Sequence, residues 1–136
     1  MSKDKHKVLL VDDSPDDRFF IRMVLERSSK FVVVEEARDG QEAMDYLKGK
    51  SESTDIMFLD LKMPGKNGFD VLQWIQTQRL GNLTVAIMSG SWLAEDVAKS
   101  LALGAHAYFK KTSLKQEQEK MISDILKLLH ERKSRC

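Results

Sequence analysis

The sequence contains only one cysteine, Cys136, at the end of a chain of 136 residues. One thiol cannot close an internal disulfide, and no second cysteine is present to build a zinc or iron–sulfur ligand set. The chain is therefore expected to work in a reducing compartment, the cytoplasm.

Long hydrophobic runs are also missing. The longest uninterrupted apolar runs span about four residues, and the first of them ends at the aspartates Asp12 and Asp13. A membrane helix or the hydrophobic region of a signal peptide needs a much longer run. We therefore predict no membrane-spanning segment and no signal peptide.

An excess of charge of one sign is absent as well. Lys and Arg number 22, Asp and Glu number 21, and the net charge is +1. Such a balance gives no overall attraction to nucleic acid or to an anionic membrane, so neither is expected as a partner. With 42% hydrophobic residues, the composition predicts one globular domain over residues 1–136, with a core from about 5 to 130 and a short tail at 133–136.

Short apolar runs of strand length recur along the chain. They are VLLV from Val8, FVVV from Phe31, IMFL from Ile56, VAIM from Val85 and AYF from Ala107. Strands that are apolar on both faces are typical of a parallel sheet covered by helices on both sides. The runs therefore predict an open, doubly wound, five-stranded parallel α/β sheet of the (βα)5 type.

The segments between these runs have helical periodicity. Examples of the apolar positions are Phe20, Met23 and Val24 in the first helix, Val71, Leu72 and Ile75 in the third, and Met121, Ile122, Ile125 and Leu129 in the last, which is predicted from Leu114 to about Arg132. Helix starts are indicated by Ser14, by Asp39 with Glu42, and by Ser113 with Gln116. Asp16 and Asp17 are interpreted as first-turn partners of the helix dipole.

The carboxyl ends of the predicted strands carry charged and hydroxyl side chains. They are Asp12 and Asp13 after the first strand, Asp60 after the third, Ser89 after the fourth, and Lys110 and Lys111 after the fifth. Ligands bind at this edge of an open α/β sheet, and in the strand order 2-1-3-4-5 these ends are neighbours. We therefore expect three carboxylates, a hydroxyl and an ammonium in one shallow cleft.

Clustered carboxylates need a compensating cation. Two unit charges about 5 Å apart repel by roughly 3 kcal/mol at an effective dielectric constant near 20. Oxygen ligands without His or Cys favour Mg²⁺, which keeps several waters and leaves room for a phosphate oxygen. A carboxylate that faces Mg²⁺ with a lysine opposite can attack phosphorus and form an acyl phosphate. The cleft therefore predicts phosphoryl transfer to an aspartate.

Five separate motifs resemble those of the CheY-like receiver domains of two-component response regulators. The motifs are VLLVDD, ARDGQEAM, DIMFLDLKMPGKNGFDVL, VAIMSG and GAHAYFKK, in this order along the chain. The resemblance covers residues 5 to 129 and implies a flavodoxin-like fold with strand order 2-1-3-4-5. It also implies a signalling protein that is not an enzyme in the ordinary sense and only assists its own phosphorylation and dephosphorylation.

The resemblance implies a role for each matching residue. Asp60 would be the phosphoacceptor, Asp13 the main Mg²⁺ carboxylate, and Asp12 an assisting ligand through water. The backbone carbonyl of Lys62 would be a further metal ligand, and Ser89 would bind a phosphoryl oxygen.

The fifth motif departs from the family pattern. Lys111 takes the role of the conserved lysine because it lies three residues after Tyr108, the aromatic residue that reports switching, and Lys110 would point to the other face. Thr112 stands where the family has a proline after a cis bond. A cis bond before a residue other than proline costs about 3 to 4 kcal/mol, so either the turn is strained or Lys111 enters the site by a trans route.

A second departure is Lys62, two residues after the acceptor, where a long cation could approach the phosphoryl group or block water. We expect an altered phosphoryl lifetime, to be measured in Lys62→Ala; an unchanged lifetime would contradict this expectation.

Phosphorylation is expected to act through charge. A phosphoryl group adds nearly two negative charges, which pull the Ser89 hydroxyl and the Lys111 ammonium inward. The space that Ser89 leaves could then admit the Tyr108 ring. This movement would bias a surface formed by the fourth helix, the fifth strand and the fifth helix, near Trp92, toward docking of an unidentified target.

The predicted function is a single-domain switch that receives phosphate from a histidine kinase or a histidine phosphotransfer protein. It would act as a monomer or as a phosphorylation-dependent dimer. Two alternatives stay open at this point. One is a pseudo-receiver that binds partners without phosphorylation, favoured if the Thr112 turn misplaces Lys111; the other is a Mg²⁺-dependent phosphatase or nuclease built on clustered carboxylates.

Overall fold

The computed structural model describes residues 5–134, and its centre is a parallel β-sheet of five strands. The strands are β1 (His6–Val11), β2 (Phe31–Ala37), β3 (Ile56–Leu59), β4 (Thr84–Ser89) and β5 (Ala107–Lys110). Their order across the sheet is β2-β1-β3-β4-β5, and every neighbouring pair is parallel. This confirms the predicted doubly wound sheet and its strand order.

Helices connect the strands in the expected alternation. They are α1 (Pro15–Arg27), α2 (Gly40–Lys50), α3 (Gly68–Gln78), α4 (Ala94–Ala102) and α5 (Lys115–Ser134), with a short 3₁₀ turn at Ser51–Ser53. α1 and α5 cover one face of the sheet, and α2 and α3 cover the other. Because parallel neighbours need crossover connections, this alternation places successive strand ends at one edge.

The apolar runs of β1, β3 and β4 are buried because each face of the sheet has its own core; in the edge strand β2, by contrast, Val32 and Val34 are 37% and 38% exposed, and the run of the other edge strand, β5, is half-buried. In β1, Val8 and Leu10 pack toward α1 and α5, whereas Leu9 and Val11 pack toward α2 and α3. All four side chains are at most 1% exposed. Strand side chains alternate between the two faces, so a run that is buried on both sides must be apolar at every position.

The first helix buries a different face from the one predicted. Val24 is buried, as expected, but Phe20 and Met23 are 47% and 41% exposed. Leu25 and the half-buried Ile21 complete the packed stripe with Val24. The periodicity identified the helix correctly and assigned part of its buried face wrongly.

The predicted helix starts are confirmed for α1 and α2 and shifted for α5. The Ser14 and Asp39 side chains accept the backbone N–H groups of Asp17 and Glu42. α5 begins at Lys115 rather than Leu114 and extends to Ser134, so residues 133 and 134, predicted as part of a short tail, continue the helix, and residues 135 and 136 of that tail lie outside the described residues. At its start the Thr112 hydroxyl, not Ser113, accepts a backbone N–H, that of Leu114.

Within residues 5–134, none of the helices combines the length and the apolar character that a bilayer crossing requires.

Candidate functional site

The strand ends bring the predicted polar residues to one edge of the sheet. The backbone N–H of Asp60 bonds to the Val11 carbonyl, and that of Asp12 bonds to the Ala37 carbonyl, so the hydrogen-bond pattern continues just beyond the strands. Asp12, Asp60 and Ser89 are 2%, 5% and 1% exposed, while Asp13 points to solvent. The sheet therefore fixes three buried polar side chains beside one accessible carboxylate.

Three of these residues form a carboxylate cluster. Asp12, Asp13 and Asp60 each offer an oxygen, and the three oxygens lie within 4.8 Å of one another. Burial raises the pKa of Asp60 to about 6; the neighbouring Lys111 lowers this pKa, and the Asp12 carboxylate raises it. Taking a carboxylate out of water beside another negative charge disfavours its ionised form.

Lys111 supplies the positive charge of the site. Its Nζ lies 2.8 Å from Asp12 Oδ2, 2.8 Å from Asp17 Oδ2 and 3.4 Å from Asp60 Oδ2. Burial by itself would lower the pKa of Lys111, but the contacts with the Asp12 and Asp17 carboxylates outweigh it, and the pKa stays above its usual value. The ammonium therefore remains protonated.

The Thr112 departure does not displace this lysine. No cis peptide bond occurs in residues 5–134, so the bond between Lys111 and Thr112 is trans. The Lys111 backbone N–H bonds to the Ser89 carbonyl at 2.9 Å, which fixes the start of the turn on β4. Lys111 thus enters the cleft by the trans route, and Lys110 lies outside it, with its Nζ 5.8 Å from the Trp92 ring.

The cluster suits a hard divalent cation. The Asp12 carboxylate is held by Ser14, whose backbone N–H bonds to Oδ1 at 3.0 Å. Its Oδ2 is buried and accepts no hydrogen bond among the described residues, although Lys111 pairs with it by charge. A set of carboxylate oxygens without nitrogen or sulfur ligands fits Mg²⁺.

Ser89 and Tyr108 meet at one loop, the Ser91 loop, which runs from Gly90 to Leu93 between β4 and α4. The Ser89 hydroxyl oxygen accepts the Ser91 backbone N–H at 3.1 Å, and the Tyr108 hydroxyl donates to the Ser91 carbonyl at 2.8 Å. The Trp92 and Tyr108 rings are in contact, with centroids 6.1 Å apart. Both predicted switch residues therefore bind the same short segment.

Lys62 extends away from the cluster. Its ammonium lies 3.7 Å from Asp96 Oδ2 in the first turn of α4, and the same oxygen accepts the Ser91 hydroxyl at 2.7 Å. The Lys62 side chain is 64% exposed. In this arrangement its charge is directed to α4 rather than to Asp60.

Asp17 is the residue of this site that the sequence reasoning missed. It was interpreted only as a dipole partner in the first turn of its helix, yet its carboxylate pairs with Lys111, which is 94 positions away in the sequence. A usable signal was present, because the first turn of a helix that follows a strand lies at the same sheet edge as the strand end.

The sheet order, the carboxylate cluster and the opposing lysine together define the class of receiver domains. The family model "Response regulator receiver domain" matches residues 8–123. The chain therefore belongs to the response regulator receiver domain family of two-component systems, as its motifs predicted. Members of this family are signalling domains that interact with histidine kinases and bind Mg²⁺ at an acidic pocket.

Several characterised proteins are similar to this chain. The transcriptional regulatory protein CpxR of Escherichia coli (strain K12) is 34% identical over 92% of the chain and 51% of its own length. The nitrate/nitrite response regulator protein NarL of the same strain is 32% identical over 91% of the chain and 53% of its own length. The chain thus spans about half the length of these curated relatives.

A solved structure supports the same fold. A chain of the CheX–CheY–BeF₃–Mg²⁺ complex from Borrelia burgdorferi superposes with a TM-score of 0.79 at 25% sequence identity. The match covers 90% of this chain and 88% of the other.

Proposed function

We propose that this chain is a phosphorylation-dependent switch in which Asp60 accepts a phosphoryl group from a phosphohistidine. The donor would be a histidine kinase or a histidine phosphotransfer protein. The observation that carries the proposal is the convergence of Asp12, Asp13 and Asp60 within 4.8 Å, with Lys111 Nζ 3.4 Å from Asp60. The proposal extends what the family does to these particular residues.

The reacting atom is an Asp60 carboxylate oxygen. It attacks phosphorus, the P–O bond forms as the P–N bond to the donor imidazole breaks, and the imidazole nitrogen leaves with the electron pair. With a pKa of about 6, Asp60 is mainly ionised at neutral pH and can act as the nucleophile. Asp12, Asp13, Asp60 and the Lys62 carbonyl would hold Mg²⁺, which supplies positive charge next to the phosphoryl oxygens.

Lys111 and Ser89 would bind the oxygens of the phosphoryl group on Asp60. The ammonium of Lys111 is already close to Asp60, so a phosphoryl group there gains a charge-assisted partner. The Ser89 hydroxyl, now an acceptor for the Ser91 N–H, would turn to donate to a phosphoryl oxygen. If the Ser89 side chain moves toward the phosphoryl group, its bond to the Ser91 N–H lengthens, which would loosen the loop that Tyr108 also binds.

The docking surface would be the α4–β5–α5 face. Trp92 is 56% exposed, contacts the Tyr108 ring and lies near Lys110 of β5. A change in the Ser91 loop would therefore alter the surface that a partner binds on this face, and with it the partner's affinity. We expect signalling by reversible docking to a target protein, with no catalytic turnover of a separate substrate.

The first test is phosphorylation by acetyl phosphate with Mg²⁺, followed by intact mass spectrometry. The wild type is expected to gain one phosphoryl group, because Asp60 is an ionised carboxylate beside a cation site. Asp60→Asn should gain none.

The matched control is Asp45→Asn, which removes an exposed carboxylate from α2, far from the cluster in sequence. It should be phosphorylated like the wild type. Equal labelling of the wild type and Asp60→Asn, or no labelling of a folded wild type, would refute Asp60 as the acceptor. Repeated turnover of phosphate esters would indicate an enzyme instead.

The second test follows the docking face through Trp92. In a Trp74→Phe background, addition of beryllofluoride and Mg²⁺ should change the emission of Trp92, since its neighbour Tyr108 binds the Ser91 loop. The change should vanish when Asp60 is replaced by Asn. An emission spectrum that stays constant while the acyl-phosphate mimic binds would rule out coupling between the site and this face.

A further inference from the structure

The Lys111 ammonium has three carboxylate partners of two kinds. Asp12 and Asp60 belong to the carboxylate cluster, where a divalent cation would compete for the same oxygens. Asp17 lies on α1, outside that cluster, and is as close to Nζ as Asp12 is, at 2.8 Å. Among the described residues, Asp17 is the one carboxylate partner of Lys111 that lies outside the candidate cation ligands.

A cation at the cluster would also repel Lys111 directly. Mg²⁺ usually takes one or two carboxylates and carries two positive charges, so it removes acceptors from the lysine and adds repulsion. The lysine side chain is 23% exposed and could turn toward solvent. A negative group that is not a metal ligand would therefore favour its continued presence in the cleft.

The turn after Lys111 does not provide this restraint on the ammonium. The contacts of Thr112 are with the start of α5: its carbonyl accepts the Gln118 side chain, and its hydroxyl accepts the Leu114 N–H and donates to Glu117 Oε1. None of these contacts involves the four-carbon side chain of Lys111. Outside the carboxylate cluster, the carboxylate within reach of Nζ is that of Asp17 on α1.

Asp17 has a fixed backbone position. It lies in the first turn of α1, where its backbone N–H donates to the Ser14 hydroxyl at 3.2 Å. Its side chain is 41% exposed, and ion pairs at this exposure contribute little to stability. The Asp17–Lys111 ion pair is therefore expected to position the ammonium rather than to stabilise the fold.

We propose that Asp17 is a positioning residue that keeps the Lys111 ammonium in the cleft while a divalent cation occupies the Asp12 and Asp60 oxygens. The inference rests on the cation site of the proposed function and assigns a role to a residue outside the metal and phosphoryl ligands. It predicts that the position of the Lys111 ammonium depends on Asp17 when the cation is bound and depends little on it when the cation is absent.

The test is NMR of the protein labelled with ¹⁵N at the lysine Nζ, with the Lys111 signal assigned from Lys111→Met. An ammonium held in the cleft by a carboxylate at 2.8 Å should exchange its protons slowly enough to be seen, whereas one released to solvent should not. In the wild type the Lys111 signal should persist with and without saturating Mg²⁺. In Asp17→Asn it should persist without Mg²⁺ and disappear with it.

The matched control is Asp16→Asn, which makes the same change in charge one position away on an exposed residue. It should behave like the wild type in both conditions. Asp17→Glu, which restores a carboxylate, should recover at least part of the signal with Mg²⁺. Urea unfolding of each variant checks that the fold is retained.

A second measurement tests whether the position of the Lys111 ammonium affects the rate of phosphorylation. With saturating Mg²⁺, Asp17→Asn should slow labelling by acetyl phosphate about three- to tenfold, and it should have no further effect in the Lys111→Met background. A Lys111 signal that persists in Mg²⁺-saturated Asp17→Asn would overturn the inference. If Mg²⁺ fails to shift the backbone amides of Asp12 and Asp60 in the wild type, the cation site of the proposed function fails first, and the inference falls with it.

Discussion

At the scale of the residue, the half-buried His106 is a titratable side chain whose protonation should affect the stability of the sheet. It lies just before β5, where its ring Nδ1 accepts the Val85 backbone N–H at 3.0 Å. The backbone N–H of His106 donates to the Val85 carbonyl. Burial and the nearby Arg132 charge lower the pKa of His106 to about 4. The neutral ring is therefore the form that the folded chain requires, because only an unprotonated Nδ1 can accept the bond.

This pKa shift predicts acid sensitivity. The unfolded chain binds a proton at His106 near pH 6.5, whereas the folded chain does so near pH 4, so stability is lost as the pH falls through this window. Because the ring is partly exposed, we expect a loss of about 1 to 2 kcal/mol between pH 7 and pH 5. Urea unfolding at the two pH values measures it.

His106→Asn is the appropriate reference, since it keeps an acceptor but does not titrate. Asp60 works in the opposite direction, because its raised pKa stabilises the folded chain as the pH falls below about 6. The difference between wild type and His106→Asn cancels this contribution. The difference in free energy of unfolding between the wild type and His106→Asn should be smaller at pH 5 than at pH 7. If it is the same at both pH values, His106 is not the cause of the loss of stability in acid.

At the scale of the element, the start of α3 packs closely against the backbone of Asp60 and Leu61. A Cβ on Gly68 would lie 2.6 Å from the Asp60 carbonyl oxygen and 2.8 Å from Leu61 Cα. The Asn67 side chain and the Asp70 side chain close a reciprocal capping box over the same turn. The helix therefore presses directly against the backbone that carries Asp60.

We expect Gly68→Ala to destabilise the fold by about 1 to 3 kcal/mol, because the added methyl group meets backbone atoms that cannot rotate away. Gly49→Ala is the matched control, since Gly49 is in α2 and its Cβ would meet no atom within 4 Å. That substitution should stabilise the chain by up to about 1 kcal/mol. Denaturant unfolding of both variants is the measurement, and equal effects would show that the contact at Gly68 is not rigid.

At the scale of the whole molecule, cation binding should couple to global stability. A ligand that binds only the folded chain stabilises it by mass action, by about 2.7 kcal/mol when its concentration is 100 times its dissociation constant. We expect Mg²⁺ to raise the unfolding midpoint of the wild type accordingly. Asp13→Asn should lose most of this gain, since Asp13 is the exposed member of the cluster and contributes little to the core.

The control for this prediction is Asp16→Asn, another exposed carboxylate near the same edge. It should keep the Mg²⁺ gain, which distinguishes ligation from a general charge effect. A gain in Asp13→Asn equal to that of the wild type would place the cation elsewhere.

Much of the architecture could be predicted without coordinates. Runs such as VLLV and IMFL are apolar at every position because they are buried on both faces, and this alone favours a parallel sheet. Strand-end residues such as Asp12, Asp60 and Ser89 come together because parallel strands end at a common edge. The buried face of α1 was predicted less well, since several apolar side chains compete for one stripe and only packing selects Ile21, Val24 and Leu25.

The sequence by itself determined the order of the elements, their parallel arrangement and the edge at which the carboxylates meet, because periodicity and strand ends are local properties. The tertiary structure alone decided the partners of the long charged side chains. Lys111 pairs with Asp17 across 94 positions, and Lys62 turns to Asp96. A lysine side chain has many rotamers of similar energy, so the charges that the fold places within its reach select among them.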